Sequence, residues 1–168
     1  MHQPKSRNRQ RLALCGLGGV FLLVGCSHIV GTAFENQANR ARESEADNYV
    51  GAMLRGQQAH FIEAEQFTDD LASLKINIPP ETENYRYEIA LDAQGQAALV
   101  TATAKLPELR SFTGVAYAIA EAPDEPPSLD TLLCISHEPH QSPPAPPQFV
   151  QTGEQVEVVC AAGSQVAE

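Results

Sequence analysis

The feature that most limits the fold is a junction. Leu12 to Phe34 is a run of 23 residues without a formal charge, and it passes directly into Asn36 to Phe61, NQANRARESEADNYVGAMLRGQQAHF. In the second stretch Ala46, Val50, Met53, Phe61 and Ala64 recur at steps near three and four, and Arg40, Glu43, Asp47 and Arg55 are assigned to the other side, so the stretch reads as an amphipathic helix. From Ala38 to Glu65 such a helix extends about 42 Å, more than a small globule can cover. Its first half is expected to project toward a membrane and its second half to lie on a sheet, with Val50, Met53 and Phe61 as the packing residues. Gly51 and Gly56 each cost up to about 1 kcal/mol in a helix interior, which predicts close packing against them, a sheet being the natural neighbour. Arg40 with Glu43 and Arg42 with Glu45 are expected to pair across one turn on a face that is otherwise only solvated.

The segment before the helix has the layout of an export signal: Met1 to Arg11 is basic, and Leu12 to Gly25 is apolar. It ends in Leu23-Val24-Gly25-Cys26, which resembles the bacterial lipobox, and this makes Cys26 a candidate for lipidation. The alternative is an uncleaved single-pass helix from Leu12 to Phe34, long enough for a hydrocarbon core of about 30 Å. Both readings place the chain in the cell envelope, membrane-anchored, with its C-terminal domain outside the cytoplasm, because the basic flank holds the N-terminus inside. The organisation that follows is a signal or anchor segment over 1–34 and one domain over 35–168, a length that allows a single modest core.

All 21 acidic residues lie after the apolar run, and from Cys26 onward only seven basic residues face them, a net −14. Such a surface repels phosphate backbones, so nucleic acid is excluded as a partner. Aromatics make up 6% of the chain and tryptophan is absent, so the core is thin and extra fastening is expected.

Within the domain, 35–65 is the helical spine and 66–84 a connecting loop in which Thr68 is placed to cap a short turn and Ile78-Pro79-Pro80 stops any helix. Tyr85, Tyr87, Ile89 and Leu91 alternate with Arg86, Glu88 and Ala90, the period of a half-buried strand. Asp92-Ala93-Gln94-Gly95 turns it into a second strand, Ala97 to Ala104, and Phe112 to Ala120 makes a third; 85–120 is thus the main antiparallel sheet. The remainder, 121–168, is proline-rich. Leu132 to Ser136 and Gln155 to Cys160 read as two short strands on either side of Pro139 to Pro147, a linker that cannot pair within a sheet. The fold class is α+β, one long helix on a small antiparallel sheet of three to five strands. Cys15 reads as an apolar filler and Cys26 as the lipid candidate. Cys134 and Cys160 are left in an exported domain, where an oxidising compartment favours their pairing, worth about 3 to 4 kcal/mol for a loop of this length.

Taken together, Asn36-Gln37-Ala38-Asn39, Ser44-Glu45-Ala46, Tyr49-Val50, Gln57-Gln58-Ala59, Phe67-Thr68, Leu71, Leu74, Ile78-Pro79, Thr82, Tyr85, Tyr87 and Ser111-Phe112-Thr113-Gly114 are similar to the bacterial type IV pilin-like G/H family, over roughly Glu35 to Ala120. The resemblance implies a ladle-shaped fold, a helix whose second half packs on an antiparallel sheet, and a C-terminal region closed by a disulfide. It implies a non-catalytic role through contacts with other pilin-like or envelope proteins, as an accessory or minor component related to type IV pili or type II secretion. The sequence departs from pilus-forming members at the processing site. Val24 stands where the glutamate of a Gly-Phe-Thr-Leu-Ile-Glu type site belongs, and Gly31-Thr32-Ala33-Phe34-Glu35 places its glutamate one position early.

No constellation asks for catalysis or a cofactor. Cys134, His137 and His140, with Glu138 between them, have spacings a metal could use, but a disulfide removes the thiolate and the histidines fall in a proline-flanked loop. Gly16-Leu17-Gly18-Gly19 lies inside the apolar segment, the wrong context for a phosphate loop. Asp69-Asp70, Glu63 and Glu65 read as helix-end and surface charges, and His60 as a packing residue. The remaining functional alternative is an envelope lipoprotein that uses the same head to bind a ligand.

Overall fold

The computed structural model describes residues 21–119, 126–153 and 155–167, with side chains described from Phe34 onward except at Gln155. Helix α1 spans Phe21–Ala64. The chain divides into two compact units, Met1–Gln37 and Ala38–Glu168, and the architecture below is that of the second. Glu65 ends the helix in the left-handed region (φ 55°), its N–H bonded to the Phe61 carbonyl. Among the described residues no helix is long and apolar enough to cross a membrane. Residues 12–20 of the expected span, Cys15 and the glycine run at 16–19 lie outside the described residues.

Among the described residues seven strands follow: β1 (Tyr85–Leu91), β2 (Ala97–Ala104), β3 (Phe112–Ile119), β4 (Ser128–Ser136), β5 (Gln148–Thr152), β6 (Gln155–Val159) and β7 (Ser164–Val166). Five of them make an antiparallel sheet in the order β1-β2-β3-β4-β7, and β5 and β6 form a separate hairpin. The α+β class holds, with one reassignment. The expected strand from Gln155 belongs to the hairpin and ends at Val159, and the fifth sheet position is taken by β7, too short to show a period. The fourth strand begins at Ser128, four residues before its expected start.

The alternation of the strands sorts their side chains onto two faces. Toward α1 point Tyr85 and Tyr87 of β1, then Ala98, Val100, Ala102 and Ala104 of β2, and Phe112, Gly114 and Ala116 of β3. They pack with Ala46, Val50, Met53 and Leu54 of the helix, most of them under 5% exposed. The central strands are small here and the flanking ones large, a trough in which a helix can settle. At its deepest point a Cβ built on Gly114 would lie 2.7 Å from Leu54 Cδ1 and 3.2 Å from Val50 Cγ1. The glycine that permits close approach is therefore on the sheet. Gly51 of the helix faces only Arg55, and Gly56 meets Leu74, in the 3₁₀ turn Leu71–Leu74, at 3.3 Å. Both helix glycines were expected to meet the sheet. In fact the trough receives the larger residues of α1, and its glycines fall beside that contact.

The opposite face carries a smaller cluster, Ala97, Val115 and Tyr117, joined by Leu99, Leu132 and Val158. Here the β5–β6 hairpin lies over the sheet, Phe149 meeting Tyr117 edge-on at 5.4 Å between ring centres. Cys134, fully buried on β4, is bonded to Cys160 just after β6. The chain thus makes three layers of helix, sheet and hairpin.

In the connecting loop the cap is Asp70 rather than Thr68. Asp70 Oδ1 accepts the Ala72 N–H at 3.1 Å, and Thr68 Oγ1 accepts the N–H of Asp70 itself. Asp70 is two residues nearer the turn, directly before Leu71, so its carboxylate reaches the free N–H groups first, and the hydroxyl of Ser73 helps hold its carboxyl below the usual range.

Candidate functional site

Two of the motifs quoted above turn out to be fasteners. Gln57, fully buried, donates to the Thr68 carbonyl at 2.6 Å and accepts the Thr68 N–H at 3.1 Å, so one side chain replaces a backbone partner where the chain leaves the helix. In Ser111-Phe112-Thr113-Gly114, Ser111 Oγ accepts the Ala104 N–H and donates to the His140 carbonyl. Thr113 Oγ1 donates to the Pro144 carbonyl at 2.9 Å, Phe112 fills the inner core, and Gly114 admits the helix. Pro139 to Pro147 is accordingly outside any strand yet pinned at two carbonyls, which suits a segment poor in N–H groups.

The polar centre of the helix side is Glu43, only 8% exposed. Its carboxylate receives the Arg110 guanidinium, Nη2 at 2.6 Å and Nε at 3.1 Å, and the Arg110 backbone N–H at 3.1 Å. Those hydrogen bonds raise the guanidinium above its ordinary range. Tyr85 donates its hydroxyl to the Arg110 carbonyl at 3.0 Å, and burial with the neighbouring Glu43 and Glu45 charges pushes its phenol well up. Tyr87 is pushed up in the same way by burial and by Glu45, which also accepts from Asn84 at 3.0 Å. These contacts correct the expected helix surface. Glu43 reaches Arg110 in the β2–β3 connection instead of Arg40, Glu45 reaches Asn84 and Tyr87 of β1 instead of Arg42, and Arg42 bonds Asn39 and approaches Glu108 at 3.9 Å. The signal was present in the phase: Glu43 lies three residues before Ala46 and seven before Val50, on the buried stripe.

Val50 and Met53 are fully buried against the sheet. Phe61 is half-buried, packed at the margin of the same core, with its ring tilted against Phe67 at 4.7 Å between ring centres. Cys26 lies within α1, but its side chain is outside the described residues. His137, Glu138 and His140 line a shallow proline-walled hollow, and His140 Nδ1 accepts the Ser142 N–H. Among the described residues no three His, Cys, Asp or Glu groups come together as a metal would need.

A groove runs along the flank of α1, between the helix and the β4–β7 side of the sheet. It comprises two adjoining hollows of ≈ 360 and ≈ 290 Å³ that share Asp47 and Ala167. Its floor is Ile135, Leu133 and Ala167, and Ser44 and Gly51 keep the helix wall low. Arg40 stands at one end and Arg55 at the other, its Nη1 folded back to 3.4 Å from the position a Gly51 Cβ would occupy. The groove is open and elongated, and it offers no nucleophile with a base beside it. Sequence reasoning did not find it, because it is made by β7.

A single helix laid in an alanine-lined antiparallel trough, with a disulfide-tethered overlay behind, defines an α+β pilin-like domain. Residues 43–161 match the family described as type IV pilin-like G and H, well over half of the chain, and the protein belongs to that family. The match starts later than the resemblance read from the motifs and runs on through Cys160. No curated protein and no solved structure matches the chain.

Proposed function

We propose that the protein is a non-catalytic, membrane-anchored accessory or minor component of a type IV pilus or type II secretion assembly, acting through protein–protein contacts in the cell envelope. The observation that carries this reading is the family match over 43–161, which takes in the trough, the Glu43–Arg110 pair and the disulfide. The absence of acid between Leu12 and Phe34 speaks against a place in a filament shaft. A second reading is favoured by Leu23-Val24-Gly25-Cys26: an envelope lipoprotein held at a membrane surface by acyl chains on Cys26, using the head as a ligand-binding module. Intact-mass analysis of the membrane-extracted protein, with a count of copies in sheared pili, tests the first reading. The expected result is a membrane-retained protein that is absent or sub-stoichiometric in the shaft. Stoichiometric recovery from purified pili would overturn it, and diacylglycerol on Cys26 would move the assignment to the lipoprotein.

A further inference from the structure

We propose that the groove beside α1 binds an acidic polypeptide segment of a partner protein, with carboxylates of that segment meeting Arg40 at one end and Arg55 at the other. This deepens the contact-making role proposed above and rests on it. Five of the seven basic residues after Cys26 are already committed within the domain: Arg42 to Glu108, Lys75 to Glu63, Arg86 and Lys105 to Glu81, and Arg110 to Glu43. Arg40 and Arg55 form no ion pair with any described residue, and both line the same groove. They are fifteen residues apart on one helix, about 22 Å along its axis, which sets the reach of the ligand. Between them lie Asp47, which lines both hollows, the apolar floor at Leu133 and Ile135 and the low wall at Ser44 and Gly51, so the occupant keeps its carboxylates at its two ends and brings uncharged, apolar side chains between them.

Charge selects among occupants. A domain carrying −14 after Cys26 repels a nucleic acid strand, and it repels a second copy of itself. The same field opposes an acidic segment only in proportion to its few charges, so the occupant is a short segment of another protein, neutral but for the carboxylates that meet Arg40 and Arg55.

The test is fluorescence anisotropy on the full chain in detergent, using a labelled synthetic peptide of Glu, Leu and Ala and the same peptide with Gln in place of Glu. The Glu peptide is expected to bind more tightly than the Gln peptide. Arg40→Gln together with Arg55→Gln should weaken it by about tenfold, two exposed ion pairs' worth. Gly51→Leu is a steric probe that leaves the net charge alone. Among the described residues the one atom near its new Cβ is Arg55 Nη1 at 3.4 Å, so the variant should fold, which its melting curve checks, and the raised wall should weaken the Glu peptide comparably. Lys75→Gln with Arg86→Gln removes equal charge elsewhere and should change affinity by less than about twofold. Equal binding of both peptides, or equal loss in both double variants, overturns the proposal. A wild-type dimer that the Arg40 and Arg55 substitutions separate would assign the groove to a second copy and overturn it as well. Membrane retention and pilus association, measured in the same variants, report separately on the broader functional reading.

Discussion

The two faces of the sheet are held by different physics. The face toward α1 is a continuous apolar contact, broad and dry, from Tyr85 across four small residues of β2 to Phe112. Among the described residues the face toward the hairpin has a small cluster of buried apolar residues, Ala97, Val115 and Tyr117, beside Cys134, and Phe149 of the hairpin remains 51% exposed. What the outer face lacks in buried area it makes up in pins: one disulfide and the Ser111 and Thr113 hydroxyls on the proline segment. A small chain can therefore build a third layer without a third core. The inner contact should decide whether the domain folds, and the outer pins whether its last quarter stays in place.

The contrast breaks most sharply at Phe112, whose side chain is 1% exposed at the centre of the inner face. Phe112→Ala should cost about 3 to 5 kcal/mol in urea titration and carry the whole domain with it. Loss of the Cys134–Cys160 bond should cost about 3 kcal/mol in the chain-entropy model, and hydrogen exchange should show the loss concentrated in β5, β6 and β7, with β1 to β3 still protected. Uniform deprotection would mean that the two faces are one cooperative unit. Glu43→Ala strands a half-exposed guanidinium and is expected to cost about 2 kcal/mol, whereas Arg40→Ala, three residues away and exposed, should stay under about 0.5. Equal losses would remove Glu43 from the inner contact.

The smallest effect is electrostatic. Lys105 bonds Glu81 and holds its carboxyl below the usual range. A depressed carboxylate contributes stability that is present above the unfolded value and is lost as pH falls through the folded one. Titration of Glu81 by NMR should find its midpoint below that of an ordinary glutamate, and Lys105→Met should move it upward.

How much of this was legible follows from periodicity. β1 and β2 could be read to the residue, because Tyr85, Tyr87 and Ile89 alternate strictly and Asp92 to Gly95 marks the turn between them. β5 could not, since its apolar pair Phe149-Val150 is adjacent instead of alternating and follows prolines. β7 has three residues and no period at all, so the groove it completes was invisible. Glu43 was misassigned for another reason: its position obeyed the buried phase, and its charge argued for water. A partner 67 residues away resolved that conflict, and nothing local names Arg110 as that partner.

Ala167 lines both halves of the groove, directly after the last strand. A label attached at Ala167 would therefore sit in both hollows and compete with whatever docks there, so capture experiments made that way would under-report contacts. The hairpin tip at Gly153, on the far layer and with nothing within 4 Å of its Cβ position, is the better place for a label.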